Sequence, residues 1–209
     1  QAALLHNPEF SRDGQRLVVS TTRRAGEQSD LWIHDIGSEA PPFRLTFDGG
    51  RAPVWTPDGS SITYSHPIPN EGSGIYTKPA DGRGDLRPIV RLAEFHWLVG
   101  WTREGTLAYG VMENTAVDGV SRGSIRAIDK NESRTVVGPG ETWGGRLSRD
   151  GRWLAYYLSD SGDFEIYVSP FPNTGTRWLI AAGTDPSWSP DGSEIYYRSG
   201  TRLMAARID

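Results

Sequence analysis

One pentapeptide in the sequence matches a pattern associated with a nucleophilic serine. Residues 119–123 read Gly-Val-Ser-Arg-Gly, the G-x-S-x-G arrangement that holds a serine on a sharp turn between a strand and a helix in α/β-hydrolases. That geometry requires a helix after the serine. Residues 124–126, Ser-Ile-Arg, instead continue the pattern of a strand. We therefore interpret the segment as a hairpin loop and assign it no catalytic role.

Histidine is the second residue type that could act in catalysis or binding, either as a metal ligand or by transferring a proton. No two histidines have the i, i+2 or i, i+4 spacing by which one element offers two ligands. The four are His6, His34, His66 and His96. The chain has no cysteine, which excludes disulfides and thiolate metal sites. The sequence therefore predicts no metal and no cofactor.

Carboxylates are the third candidate, because two of them within about 10 Å can hydrolyse a glycosidic bond. Five lie in predicted loops on one face: Glu71, Glu94, Glu113, Glu141 and Asp185. Their spacing gives no reason to bring any two together. A carbohydrate-active hydrolase or lyase is therefore the alternative function, and a non-enzymatic protein is the preferred one.

These residues must be positioned by a repeated structural unit. An aromatic or leucine residue, followed by Ser or Thr and an acidic residue before Gly, occurs five times, at residues 10–14, 55–59, 101–105, 147–151 and 188–192. The acidic residues are 45, 46, 46 and 41 positions apart, which is the period of a four-stranded propeller blade. Each turn is flanked by short alternating apolar runs that indicate a β-hairpin.

The prediction is an all-β fold, a β-propeller of about five four-stranded blades in one domain spanning residues 1–209. The blades are expected at residues 7–47, 52–92, 98–138, 144–181 and 185–209. No outer strand is visible in the fifth repeat. We expect residues 1–5 to supply it through Ala2–Leu5, because closure would remove exposed sheet edges. The alternative is a fragment of a six-bladed propeller.

The repeat resembles the TolB-type propeller repeat, in which an aromatic residue precedes Ser-Pro-Asp-Gly and a hydrophobic-x-Tyr strand follows. Residues 188–197 match this pattern fully and residues 55–64 nearly so, whereas Glu104 and Leu147 depart from it. Residues 164–200 also look like propeller domains found C-terminal to bacterial serine/threonine kinases. The resemblance implies a protein-binding scaffold in a bacterial envelope or sensor context. Another alternative is an accessory domain of a larger kinase or peptidase.

The composition excludes two classes of partner. The net charge of −4 argues against a nucleic-acid-binding surface. The sequence has no run of about 18 apolar residues, so no membrane span is predicted. The resemblance to the TolB-type repeat implies a periplasmic or extracytoplasmic location and leaves a cytoplasmic one open.

Strand order predicts that the connections after the second and fourth strands of each blade emerge on one face. This face carries the longest loops. Ordering a long loop costs conformational entropy, so long loops usually have a function. We expect it to bind a protein or peptide partner, or a small ligand in a central channel. The predicted binding residues are His6, Arg51, His66, His96, Trp97, Trp143 and Asp185.

Overall fold

A computed structural model describes residues 4–22, 28–114, 121–130, 132–140, 142–159 and 162–208. Within these ranges the regular secondary structure consists of strands, nineteen in all, as predicted for an all-β fold. No helix in the described part of the chain is long and apolar enough to cross a membrane. Residue contacts divide the chain into two compact units, residues 1–94 and 95–209.

The first unit contains two four-stranded antiparallel sheets in which neighbours along the chain pair. The first sheet comprises β1 (Leu4–Phe10), β2 (Arg16–Thr22), β3 (Asp30–Asp35) and β4 (Phe43–Arg44). The second comprises β5 (Arg51–Trp55), β6 (Ser61–Ile68), β7 (Gly72–Pro79) and β8 (Arg87–Leu92).

The second unit contains three sheets with the same order. The third sheet comprises β9 (Phe95–Trp101), β10 (Leu107–Asn114), β11 (Ser121–Asp129) and β12 (Glu132–Gly140). The fourth comprises β13 (Thr142–Leu147), β14 (Trp153–Leu158), β15 (Glu165–Pro170) and β16 (Trp178–Ala182). The fifth comprises β17 (Thr184–Trp188), β18 (Glu194–Ser199) and β19 (Arg202–Arg207).

The predicted closing strand is wrong where the structure tests it. Leu4 and Leu5 pair with Thr22 and Thr21 and begin the first strand of the first sheet; Ala2 lies outside the described residues. The reason is the length of β2. This strand extends to Thr22, so the ladder with β1 continues to Leu4 and Leu5, closer to the N-terminus than the turn pattern indicated. The fifth sheet has three strands among the described residues.

Tryptophan side chains connect successive sheets. Trp55, at the end of β5, donates its indole N–H to the backbone carbonyl of Glu9 in β1 at 3.0 Å. Trp188, at the end of β17, does the same to Arg146 in β13 at 3.1 Å. The indole of Trp55 packs with Val18, Leu31, Ile33 and Ile62 in one buried cluster. Each tryptophan therefore aligns a sheet with the preceding one.

The repeated turn is held by a hydroxyl and a carboxylate. Thr56 donates its hydroxyl hydrogen to Asp58 at 2.7 Å, and Ser189 donates to Asp191 at 2.6 Å. The same hydroxyl oxygen accepts the N–H at the start of the next strand, that of Ser61 or Glu194. The hydroxyl bond, with a backbone N–H donated to each carboxylate, lowers the pKa of Asp58 and of Asp191 to about 2.

Because the folded protein binds a proton to Asp58 less readily than the unfolded chain, this turn stabilises the fold fully above pH 3.8, and the contribution is lost as pH falls toward about 2. Replacing Thr56 by Val removes the hydroxyl and should reduce the loss of melting temperature across this range. Thermal unfolding of both proteins between pH 5 and 2 measures the difference. Thr77→Val is the matched control, because the Thr77 hydroxyl donates only to the backbone carbonyl of Ile62. An identical acid dependence in Thr56→Val and wild type would refute the role of this bond.

Three first strands contain a residue in the left-handed region directly before a proline. These residues are Asn7 (φ 48°), Ala52 (φ 48°) and Asp185 (φ 55°). Each lies where the pairing of its strand shifts, which is the signature of a β-bulge. Asn and Asp tolerate this conformation, whereas the β-carbon of Ala52 makes it strained.

Replacing Ala52 by Gly should therefore stabilise the protein. Relief of the left-handed strain exceeds the extra entropy of glycine in the unfolded chain, so we expect a net gain of about 0.5 to 1 kcal/mol in unfolding free energy. Urea unfolding measures it. Ala182→Gly, in exposed β16 without a left-handed backbone, should instead be destabilising. Equal losses in both variants would show that Ala52 carries no strain.

Candidate functional site

Each sheet carries one large and one small residue at the same cross-strand position, three residues after Leu17, Ile62, Leu107, Leu154 or Ile195 of the second strand. The five pairs are His6–Ser20, Arg51–Ser65, Trp97–Gly110, Gly144–Tyr157 and Thr184–Arg198. We call them the size-matched pairs. The large side chain comes from the first strand in the first three sheets and from the second strand in the last two. Three of the predicted binding residues, His6, Arg51 and Trp97, are large members of these pairs.

Trp97 shows why the partner must be small. A β-carbon on Gly110 would overlap the indole ring of Trp97, so the ring lies directly on the glycine backbone. The ring also approaches Gly123 of the neighbouring strand and packs against the buried cluster that contains Leu154 and Tyr156. Trp97 is only half-exposed. Its removal would leave a void, so Trp97→Ala is expected to lower stability.

Gly110→Ala tests this packing. The added methyl group has no space unless the Trp97 ring moves, and we expect destabilisation of about 1 to 3 kcal/mol, the range for overpacked sites. Gly140→Ala is the control, because a β-carbon there meets no atom within 4 Å. Thermal or urea unfolding provides the measurement. If Gly110→Ala is as stable as Gly140→Ala, the Trp97 ring does not lie directly on the Gly110 backbone.

In the first unit, His66 lies at the edge of the buried face. Its Nε2 is 3.9 Å from a carboxylate oxygen of Asp48, and its ring meets the ring of Tyr76 edge-on with centroids 5.1 Å apart. Burial, followed by the nearby charge of Asp48, raises the pKa of Tyr64. Arg51 and His6 are exposed on other strands. His66 is thus largely a packed residue, whereas Arg51 and His6 are accessible.

In the second unit, three aromatic side chains form a contiguous cluster at one end of the fourth sheet. The ring of Phe164 meets Trp143 edge-on at 6.4 Å and Tyr157 edge-on at 5.6 Å. Trp143 is 42% exposed and Phe164 is 37% exposed. A β-carbon on Gly144 would lie 2.7 Å from the Tyr157 ring, so this ring rests on the β13 backbone. We call Trp143, Tyr157 and Phe164 the aromatic cluster.

An ion pair lies beside the aromatic cluster. The guanidinium of Arg198 contacts Asp185 at 2.9 Å, and the Thr184 hydroxyl donates to the same carboxylate at 3.0 Å. Burial, and then the charge of Asp185, raises the pKa of the Tyr157 hydroxyl, while Arg198 and Arg146 partly offset this. The hydroxyl is therefore protonated at neutral pH and can donate a hydrogen bond.

The remaining predicted binding residue is His96. It is buried in β9 next to Trp97, not exposed on a loop as its position in the sequence indicated. Within the second unit, the structure thus brings Trp143 and Asp185 close to Tyr157, while His96 and Trp97 lie in the third sheet. No group of three potential metal ligands occurs among the described residues.

Three of the five acidic candidates for catalysis occupy separate ion pairs, Asp185 with Arg198 as described above. Glu71 pairs with Arg91 at 3.1 Å, and Glu113 pairs with Arg126 at 2.5 Å. Glu141 lies outside the described residues. The three paired carboxylates belong to different sheets and each has its own arginine, whereas a glycosidase needs two carboxyls that converge on one glycosidic bond, one as the acid and one as the base or nucleophile. In the G-x-S-x-G segment, Ser121 starts strand β11, and Gly119 and Val120 lie outside the described residues.

Sequence reasoning missed three residues of this region: Tyr157, Phe164 and Arg198. Tyr157 and Arg198 lie in second strands, directly after the hydrophobic-x-Tyr pattern, and that pattern gives no indication of the large-on-small pairing. The signal was present when the repeats are aligned: four of the five have tyrosine at one position, where the first has Val19, and the next residue varies from Ser to Gly, Tyr and Arg. Such variation at a fixed structural position is typical of a surface whose chemistry differs between repeats.

Comparison with known proteins supports the fold. No protein-family model matches the chain. The chain is 25% identical over 206 residues to an uncharacterized protein of Agrobacterium fabrum, covering 94% of this chain and 66% of that protein. It therefore spans slightly less than two thirds of that relative's length.

Two solved structures superpose on most of the chain. One is a protein of Agrobacterium tumefaciens provisionally named TolB, with a TM-score of 0.77, 20% identity, and coverage of 94% of this chain and 70% of that one. The other is TolB of Acinetobacter baumannii, with a TM-score of 0.77, 18% identity, and coverage of 97% and 51%. The chain has a TolB-like β-propeller fold. The five sheets of this TolB-like propeller are its blades, which confirms the repeat-based prediction. At these identities the likeness concerns the fold and not the partner.

Proposed function

We propose that this TolB-like propeller is a non-catalytic module that binds a protein or peptide through the aromatic cluster and the adjoining Asp185–Arg198 pair. The exposure of Trp143 and Phe164, at 42% and 37%, is the observation that carries the proposal. Burying such rings is favourable, and Trp, Tyr and Arg are the residue types that dominate binding energy at protein interfaces.

The cluster is also pre-organised. Tyr157 rests on Gly144, Phe164 is held between two rings, and the Phe164 carbonyl accepts the N–H of Gly183 at 2.8 Å. Little conformational entropy is therefore lost when a partner covers these rings. The ion pair at the border supplies both a donor and an acceptor for backbone groups of a bound peptide. A partner segment with an apolar anchor beside polar backbone groups fits this arrangement.

The arrangement of the acidic residues proposed for an enzyme also favours a binding module. Three of the acidic candidates engage separate arginines, which leaves the aromatic surface as the best-supported functional feature. We also propose an extracytoplasmic location, the setting that the TolB-type resemblance implies. Fractionation of the source cells with an antibody against the chain tests the location, and recovery with cytosolic markers would contradict it.

Selection of peptides from a displayed random library against the purified protein tests the binding surface. Selected peptides should bind Trp143→Ala more weakly by about 1 to 3 kcal/mol, because the truncated residue no longer anchors the partner. The melting temperature should change little, since Trp143 is half-exposed. Affinity can be measured by fluorescence anisotropy or calorimetry.

Trp153→Ala is the matched control. The ring of Trp153 meets that of Trp178 edge-on in the same sheet, with centroids 6.0 Å apart. Trp153 lies at the start of β14, whereas Trp143 lies beside the end of that strand. It has similar exposure, 36%. Peptides that bind Trp143→Ala as tightly as wild type, or that lose affinity only for Trp153→Ala, would place the binding surface elsewhere.

A further inference from the structure

The rings of the aromatic cluster are nearly perpendicular to one another in two pairs. The planes of Trp143 and Phe164 make an angle of 88°, and those of Tyr157 and Phe164 make an angle of 78°. Two perpendicular rings enclose a corner onto which one face of each ring opens. Trp143 and Phe164 are also the two exposed members of the cluster. We call the space between them the Trp143–Phe164 corner.

The face of an aromatic ring carries partial negative charge and attracts cations. This protein uses that attraction elsewhere and shows the distance at which it acts. In three places a guanidinium of the same chain lies 4.5 to 4.6 Å from a ring centroid: Arg16 over Trp55, Arg44 over Phe47 and Arg177 over Tyr167.

The same distance defines the size of a corner that holds one cation. If a cation faces both rings of a perpendicular pair, the two centroids are separated by the diagonal of a square with sides of about 4.5 Å, which is about 6.4 Å. The centroids of Trp143 and Phe164 are 6.4 Å apart. The Trp143–Phe164 corner therefore has the dimensions that one bound cation requires.

The chain does not fill this corner with a cation of its own. Within the described ranges, the cations that lie over rings are the three arginines above, and none of them faces the aromatic cluster. Arg198 is near the cluster but is held by other groups. Its guanidinium contacts Asp185 at 2.9 Å, and its Nε donates to the hydroxyl of Thr184 at 3.4 Å. The two ring faces are thus left for a ligand.

The chemistry of the corner favours a methylated ammonium group over a protonated amine. The N–H groups of a lysine or arginine side chain need acceptors when they leave water, and losing them is costly. The side chains of Trp143 and Phe164 contain no acceptor atom. A trimethylammonium group has no N–H donor, and its methyl groups bury apolar surface against the rings while its charge faces them.

We propose that the Trp143–Phe164 corner binds a quaternary ammonium group, carried either by a free small molecule or by a trimethylated lysine of a partner protein. The inference rests on the proposed function, since the aromatic cluster is the binding site in both, and it names the chemical class of the ligand. Tyr157 acts as a positioning residue, because its ring packs edge-on against Phe164 and rests on the backbone at Gly144.

Choline and 3,3-dimethylbutan-1-ol are the matched probes of charge. They have nearly the same shape, but a carbon replaces the quaternary nitrogen in the second. We expect choline to bind about tenfold more tightly, because the neutral analogue gains no attraction to the ring faces. Ligand-observed NMR titration or calorimetry measures both affinities. Equal affinities for the two compounds would show a simple apolar site and would overturn the proposal.

Leucine substitutions test the ring faces. Trp143→Leu keeps an apolar side chain but removes one face, so the preference for choline over the neutral analogue should fall about tenfold. Trp153→Leu is the matched control, since Trp153 lies at the other end of β14, and it should keep the full preference. Phe164→Leu removes the other face and decides the question if Trp143→Leu does not fold. An unchanged preference in a folded variant of either ring contradicts the proposal.

A peptide pair distinguishes the two sources of the ammonium group. The peptides are Gly-Ser-Gly-Lys-Gly-Ser-Gly with a trimethylated lysine and the same peptide with unmodified lysine, each labelled with fluorescein for anisotropy measurements. Binding of the trimethylated peptide at least as tight as that of choline, with loss of affinity for unmodified lysine, identifies a protein partner. Tighter binding of choline identifies a free small molecule. Both outcomes support a quaternary ammonium site.

The same measurements separate this inference from the proposed function. If neither choline nor the trimethylated peptide binds, the inference is wrong, while library-selected peptides that lose affinity for Trp143→Ala would still support the peptide-binding surface. If choline binds with the expected preference and no library peptide depends on Trp143, the proposed peptide-binding function is wrong and the ammonium site stands.

Discussion

The hydrogen bond from a tryptophan indole to a carbonyl of the preceding sheet is the contact on which the other features depend. Trp55 and Trp188 both form it, with nearly the same length. The indole fills the space between two sheets while its single donor fixes their relative register. Because the ring is large and the bond directional, the sheets meet in one orientation. Within each unit the first strands of the two sheets joined in this way are thereby aligned.

Much of the fold could be predicted because the turn chemistry is local. Ser or Thr, Asp and Gly at fixed spacing determine a turn through bonds made within five residues, and Asp58 and Asp191 form such bonds. The first strand was harder to delimit. Leu4 and Leu5 join it only because β2 is long enough to pair with them, a property of the partner strand that the sequence of residues 1–5 does not contain.

The candidate site was predicted in part. Trp143 belongs to the aromatic cluster and Asp185 to the adjoining ion pair, but Tyr157 and Phe164 were overlooked. Their importance comes from contacts between side chains on different strands, such as the ring of Tyr157 on Gly144. His96 illustrates the opposite error, because a residue in a predicted connection became a buried member of β9. Burial depends on the neighbouring strands and cannot be read from one strand alone.

The size-matched pairs have a consequence for how such a protein can diversify. A ring such as that of Trp97 fits only while its neighbour remains glycine, so a substitution at either position alone creates a clash or a void. The two positions should therefore change together during evolution, by way of an intermediate in which both residues are small. Coupled replacement of this kind lets the large side chain move from one strand to the other, as between the third and fourth sheets, and gives each repeat its own surface chemistry on an unchanged backbone.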